Sequence, residues 1–261
     1  MTDLVEYACQ DHIATITLKR PEKLNAFSDD MVAALAAALR RFDIDNDAFV
    51  AIIHGAGRAF SSGADVRQRQ LRRREEFEQH GGPQGWGTHA GDLLTRAVNW
   101  KPVIAAAHGY VMGLALGIVL ECDLIVAAAG TQFQVTETPR GLGGAKYWAL
   151  LDFRGAASFG TEMALTGRFF TAEEALAHGV INRVAPEGQH VQVAQELAQA
   201  VARNPPLSVR ATVRSRRWYM ELLGREIAMQ TAPLKLYLSE DFGEAAHAFV
   251  EKRRPGPFKG R

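Results

Sequence analysis

Two glycine turns in this chain could bind a ligand through main-chain amides instead of side chains. In RAFSSGAD (58–65) an apolar run passes into small residues and closes on an aspartate. Small residues at a strand end let another molecule approach the backbone closely. The donor offered there would be the N–H of Ala64, with Asp65 fixing the loop; taken alone, the stretch also reads as an ordinary tight turn. The second turn lies in HGYVMGLALGIVLECD (108–123), which runs through Gly109 and Gly113 into an apolar helix. The first N–H groups of a helix have no partner inside it and carry its positive end, so Leu114 presents a free donor. Two donors meeting at one carbonyl oxygen would form an oxyanion hole, each worth ~3 kcal/mol toward a developing negative charge.

The elements that must hold these turns can be read from the same sequence. VAIIHGAGRAF (50–60), VIAAAHGYVMG (103–113) and DLIVAAAGTQF (123–133) are three similar apolar runs of strand length, each ending in a glycine turn. They are too continuous to be half exposed and suggest stacked strand-and-helix units. EYACQ and IATITLKR form a hairpin about Asp11 and His12. Ser28 caps a helix over MVAALAAALRRFD, with Asp29 and Asp30 at its positive end. VRQRQLRRREEFEQ (66–79) is expected as a helix with a solvated charged face, with its arginine cluster as an anion site in reserve. HGGPQGWG (80–87) is a loop, and THAGDLLTRAVNW (88–100) a helix stopping before Pro102. TAEE (171–174) is a capping box with Gly179 as the stop, and amphipathic helices follow Asn204.

Composition narrows the function. The chain has 261 residues and is 47% hydrophobic, enough for one main domain with a helical tail. Thirty Lys and Arg against twenty-nine Asp and Glu leave a formal charge of +1, which argues against nucleic acid or a membrane surface as partner. The arginine-rich 67–76 stretch is offset in part by its own glutamates. Cys9 and Cys122 stand apart from each other and from histidine clusters, so neither a disulfide scaffold nor a metal is expected. The N-terminal MTDLVEYACQ lacks the pattern of a targeting peptide, and a cytoplasmic location is expected. The apolar 110–129 stretch is broken by Glu121 and Asp123 and reads as a core segment. Nucleophile-elbow, dinucleotide and P-loop signatures are missing from the sequence.

The segments RPEKLNAFSDDM, GAGRAFSSGAD, KPVIAAAHGYVMG, ECDLIVAAAGTQF, ETPRGL, LTGRFFTAEEALAHGVINRV and AFVEKRRPGPFKG occur in an order that resembles the crotonase, or enoyl-CoA hydratase/isomerase, family. The resemblance covers nearly the whole chain. It implies an α/β fold, a crotonase-like spiral of repeated strand-strand-helix units over 1–203 with a helical C-terminal trimerisation region over 204–261. It also implies an acyl-CoA thioester as substrate and a homo-oligomer, either a trimer or a dimer of trimers. No cofactor is implied beyond the coenzyme A of the substrate itself. The thioester carbonyl would be held by the amides of Ala64 and Leu114, where family members usually carry glycine at the second position. CoA would meet Leu24 and Ala26, the loop Ser62, Gly63, Ala64 and Asp65, then Gly113, and Phe249 and Lys252 from the tail.

The resemblance also assigns the acid/base. Family hydratases place one glutamate three residues beyond the second amide, which here is Gly117, and another at the position of Glu137 in FQVTETPRGL. Phe133, Val135 and Leu142 could desolvate that carboxylate and raise its proton affinity. One carboxylate suffices to shuttle a proton in a double-bond shift, whereas hydration commonly uses two. The reading therefore favours an isomerase, with a Glu137-dependent hydratase and a weakly active CoA-binding relative as alternatives. His108 is taken as a structural turn histidine, His89 as a lesser pocket candidate, and Glu121 as sharing a helix face with Leu114 two turns away. Arg140 either pairs with a carboxylate or faces solvent. Met112, Tyr147, Trp148 and the loop about Trp86 are expected to line the acyl pocket.

Overall fold

The three similar apolar runs become neighbouring strands of one sheet in the computed structural model, which describes residues 4–83 and 99–261. They are β3 (Val50–Gly55), β4 (Val103–Ala107) and β6 (Leu124–Ala128), flanked by β1 (Val5–Gln10), β2 (Ile13–Leu18) and β9 (Arg183–Ala185). The order is β1-β2-β3-β4-β6-β9. Within this sheet β1 and β2 pair antiparallel and the other neighbours pair parallel. Their turn is Asp11 and His12, both at positive φ, the conformation that matches a two-residue turn to the strand twist.

Strand register explains the lack of polar alternation. Ile53, Ala105 and Ile125 are paired across the sheet and pack into the larger core with Phe27, Leu35 and Leu116. Their neighbours Ile52, Ile104 and Val126 face the other way, onto Ala194 and Ala198 of the helix His190–Ala202. Both faces are covered, so both must be apolar.

Each central strand then crosses to a second, smaller sheet. β4 continues through Gly109 into β5 (Tyr110–Met112), and β6 through Gly130 into β7 (Gln132–Gln134), which pairs with β8 (Phe169–Thr171). After β3 the same crossing shrinks to a single bridge, Ser61 to Val111. Helices follow each crossing: α1 (Asp29–Ile44) belongs to the first hairpin, α2 (Val66–Arg69) and α3 (Arg74–His80) to β3, α4 (Leu114–Glu121) to β5, and α5 (Ala145–Phe153) to β7. The expected spiral of strand-strand-helix units is therefore present. Phe133 of β7 stacks on Phe170 of β8 at 5.3 Å between ring centroids, closing the small sheet.

Local signals behave as expected. Ser28 accepts from Met31 N at the start of α1, and Thr171 and Glu174 form the reciprocal capping box of α7 (Ala172–Ala177). Beyond α6 (Ala157–Thr166) and α8 (His190–Ala202), the tail forms α9 (Pro206–Thr231) and α10 (Glu240–Val250). Met220 of α9 enters the main core, and the Arg217 guanidinium reaches Asp123 at 2.6 Å, where Arg216 also binds at 3.2 Å.

One expectation fails. Residues 66–79 do not form a single helix with a solvated face; they break between α2 and α3, and Arg69 is buried. Its guanidinium pairs with Asp29 at 2.6 Å, and Arg72 pairs with the same carboxylate. A buried cation needs a partner, and Asp29 serves two. Trp86, His89 and most of the 88–100 segment lie outside the described residues. Among the described residues no helix is long and apolar enough to cross a membrane.

Candidate active site

The first turn is held by side chains that consume nearly every polar group around it. Asn25, fully buried, donates from Nδ2 to the carbonyls of Ala56 and Ala59 at 2.9 Å and accepts Arg20 N at 2.8 Å. Ser61 Oγ donates to Asn25 O at 2.8 Å and accepts Gly63 N at 3.1 Å. Asp65 N donates to Phe27 O at 2.9 Å, and Phe27 N donates to Gly63 O at 2.8 Å. The N–H of Ala64, between two committed neighbours, has no acceptor among the described residues. Asp65 itself fixes the loop: its carboxylate caps α2 and takes Arg20 Nη1 at 3.0 Å.

The second turn lies against the first. Gly63 has φ +88°, and a Cβ there would lie 2.6 Å from Met112 O and 3.7 Å from Leu114 N. Only glycine allows the two backbones to approach this closely. Leu114 is the first residue of α4, so its N–H has no intrahelical acceptor, and none is supplied by another described group. Gly113, at φ +47°, would with a side chain strike Thr136 Oγ1 at 2.2 Å and approach Glu137 Oε1 to 3.0 Å. The amide pair and the carboxylate therefore adjoin one another, and Ala64, Leu114 and Glu137 line one cleft of about 1300 Å³.

Glu137 stands at the head of a tight 3-10 turn over Thr138–Arg140, entered through Pro139. Its Oε1 accepts a hydrogen bond from Tyr147 Oη at 2.5 Å and its Oε2 a longer one from Thr136 Oγ1 at 3.4 Å. Burial pushes its carboxyl up to about 7, against the Tyr147 and Thr136 bonds and the Arg140 charge, which pull it down. A carboxyl poised near neutrality can both take and return a proton. Burial, then the Glu137 charge, lifts the Tyr147 phenol well above its ordinary value, so the phenol stays protonated and donates.

Tyr147 is the residue that sequence reasoning misplaced. Expected as an acyl-pocket wall, it instead packs over Gly117, where a Cβ would lie 3.4 Å from its ring and 3.6 Å from its hydroxyl. The side chain missing at 117 is replaced by a phenol from α5. The glycine at 117 was the available signal, since a bare helix position facing a site leaves room for something else. Nor do Met112 and Trp148 form the cleft wall: Met112 is buried, and Trp148 turns to the other side of α5 to donate to Thr161 Oγ1 at 3.1 Å.

Other candidates separate clearly. Ala26, Ser62, Asp65, Phe249 and Lys252 line the cleft together with Lys23 and Arg67. Leu24, Gly63 and Gly113 lie behind it; Leu24 contributes its carbonyl, which accepts Ser62 N at 2.9 Å. Glu121 does not share the Leu114 site. It is buried and bound to Lys146 Nζ at 2.7 Å, outside the cleft. His108 is a turn residue as expected, its Nε2 2.9 Å from Gly57 O and its ring stacked on His190.

A spiral core, two free amides from successive turns and a neighbouring carboxylate are the arrangement that the family resemblance implied. The model of the family described as enoyl-CoA hydratase/isomerase matches residues 8–261. This chain belongs to the enoyl-CoA hydratase/isomerase family. Among curated proteins it is similar to mevalonyl-coenzyme A hydratase of Aspergillus fumigatus, 34% identical over 254 residues that span 94% of this chain and 90% of that protein. It is also similar to carnitinyl-CoA dehydratase of Salmonella heidelberg, 36% identical over 95% of each chain. Among solved structures, a probable enoyl-CoA hydratase/isomerase from Mycobacterium abscessus superposes with a TM-score of 0.71 at 35% identity, covering 98% of each chain. As a hydratase/isomerase family enzyme, the protein acts on acyl-CoA.

Proposed function

We propose that the enzyme binds an enoyl-CoA with its thioester oxygen between the N–H groups of Ala64 and Leu114, and that Glu137 moves the proton. In a 3-enoyl thioester, the Glu137 carboxylate takes a proton from the α carbon, and the electron pair delocalises onto the thioester oxygen and across the neighbouring double bond. The two amides stabilise that dienolate. The same carboxyl then returns the proton at the γ carbon, leaving the 2-enoyl product. Tyr147 holds the carboxylate in place throughout.

The observation carrying this reading is the single carboxylate: Gly117 has no side chain, and the Tyr147 ring lies beside it. A specific observation favours hydration as the second reading. The curated relatives above are named a hydratase and a dehydratase, and the Tyr147 hydroxyl gives Glu137 a second polar group beside which water could be held. The two separate in ¹⁸O-water. Isomerisation converts 3-enoyl-CoA to 2-enoyl-CoA without incorporating label, whereas labelled 3-hydroxyacyl-CoA as the main product from 2-enoyl-CoA would sink the isomerase reading.

CoA enters as part of the substrate, with no separate cofactor. The enzyme works as a homo-oligomer, a trimer or dimer of trimers, through the tail, where Trp218, Tyr219 and Met229 are exposed. A cytoplasmic location accords with two free thiols, Cys9 and Cys122.

A further inference from the structure

The cleft contains a guanidinium whose charge lowers the proton affinity of Glu137 but whose donors neither the amide pair nor the proton transfer uses. Arg140 lines the cleft three residues after Glu137, on the same tight turn, with its own N–H donating to Glu137 O at 3.1 Å. The side chain is partly buried. The Phe249 ring covers it at 3.7 Å from guanidinium carbon to centroid, and Nη1 donates to Gln70 Oε1 at 3.3 Å.

Its neighbours are treated differently. Arg20 has Asp65, and Arg69 and Arg72 have Asp29, whereas no carboxylate lies within ion-pair distance of Arg140 among the described residues. A partly desolvated guanidinium presents a planar fork of donors suited to a carboxylate, and among the described residues only Nη1 of this fork is engaged. Phe249 and Gln70 hold the plane in position from two sides, which preorganises it for a ligand.

We infer that Arg140 seats an anionic group at the far end of the acyl chain, a carboxylate, so that the substrate is the mono-CoA thioester of a dicarboxylic acid. This rests on the acyl-CoA reading above. A CoA phosphate could supply the same anion chemistry, and Phe249, which covers the guanidinium, is itself expected on the CoA side; what argues for the acyl side is the turn. Arg140 belongs to the turn that carries Glu137, which must reach the carbons next to the thioester carbonyl, and the whole pantetheine arm separates those carbons from the phosphates. Glu137 alone would repel a second carboxylate in this cleft; Arg140 removes that repulsion.

The test is calorimetric binding of saturated thioesters to the full chain, which needs no turnover. Succinyl-, glutaryl- and adipyl-CoA are compared with butyryl-, valeryl- and hexanoyl-CoA, with CoA and 3′-dephospho-CoA as controls. At least one diacid thioester should bind about tenfold or more tightly than its methyl-ended counterpart. In Arg140→Met that ratio should fall to about one, and in Arg140→Lys, which keeps charge but loses the fork, it should fall part-way; melting curves confirm that both variants are folded. Equal affinities in the wild type overturn the inference, as does an Arg140→Met variant that weakens CoA and all thioesters alike, since Arg140 would then serve the phosphates. A wild-type protein that binds no thioester at all sinks the acyl-CoA reading with it, whereas equal affinity for the two series sinks only this one.

Discussion

The hydroxyl of Tyr147 donates to Glu137 Oε1 across 2.5 Å, and the ring that carries it lies against Gly117. This one contact stabilises the ionised carboxylate and so partly counters the burial that raises its proton affinity. Tyr147→Phe should therefore move the acid limb of the kcat profile to higher pH, by roughly one unit. The alkaline plateau should stay close to the wild type, because the base itself remains. A uniform drop across the whole pH range, with no displacement of the limb, would show that Tyr147 holds structure and does not set the state of Glu137.

What could be read from the sequence was what is local. The turn at Asp11 and His12, the Ser28 cap and the Thr171–Glu174 box each lie within a few residues, and the continuous apolar runs of β3, β4 and β6 marked them as buried strands. The two free amides were legible for the same reason, since each follows from a glycine turn and a helix start. The long-range partnerships were not. Asp29 finds Arg69 and Arg72 forty residues and more away, and Arg217 finds Asp123 across ninety-four; even the ten residues from Glu137 to Tyr147 pass through a turn and a helix start whose direction the sequence does not give. Nothing in VRQRQLRRREEFEQ distinguishes a buried arginine from a solvated one until its carboxylate is placed.

Leu114 offers a clean test of its amide. It occupies the first position of α4, where proline is tolerated because its missing N–H has no helical partner. Leu114→Pro should thus fold, yet lose one donor to the thioester oxygen. We expect kcat to fall by ~10²- to 10³-fold with thioester binding changed far less. Retention of kcat within a few-fold in a folded variant would remove Leu114 from the oxyanion site.

Arg217 and Asp123 pin the tail to the core. Both side chains are buried, Arg216 shares the same carboxylate, and Val103 N donates to it at 2.8 Å. Removing the shared acid takes the Asp123 carboxylate from the buried Arg217 guanidinium and from Arg216 together. Asp123→Ala should cost ~3–5 kcal/mol in denaturant unfolding, the range for breaking a buried ion pair by deleting one member. A loss under about 1 kcal/mol would mean that the tail is held chiefly by the apolar contacts of Met220 and Val213.

The raised proton affinity of Glu137 also sets how stability varies with pH. Its carboxyl titrates near the ordinary 4.5 when unfolded and at about 7 when folded. Between those values the folded state binds more protons, so stability is greatest below the unfolded value and falls as pH rises through the folded one. A displacement of this size corresponds to a loss on the order of 3 kcal/mol. Glu137→Gln never ionises and escapes that loss. Its melting temperature should match the wild type at about pH 5 and exceed it by roughly 5 °C at about pH 8, while its turnover falls by ~10²- to 10⁴-fold. Scanning calorimetry at the two pH values decides the matter: a variant with no growing advantage at the higher pH would mean that the wild-type carboxylate is already ionised at little cost, and that it is not poised near neutrality for proton transfer.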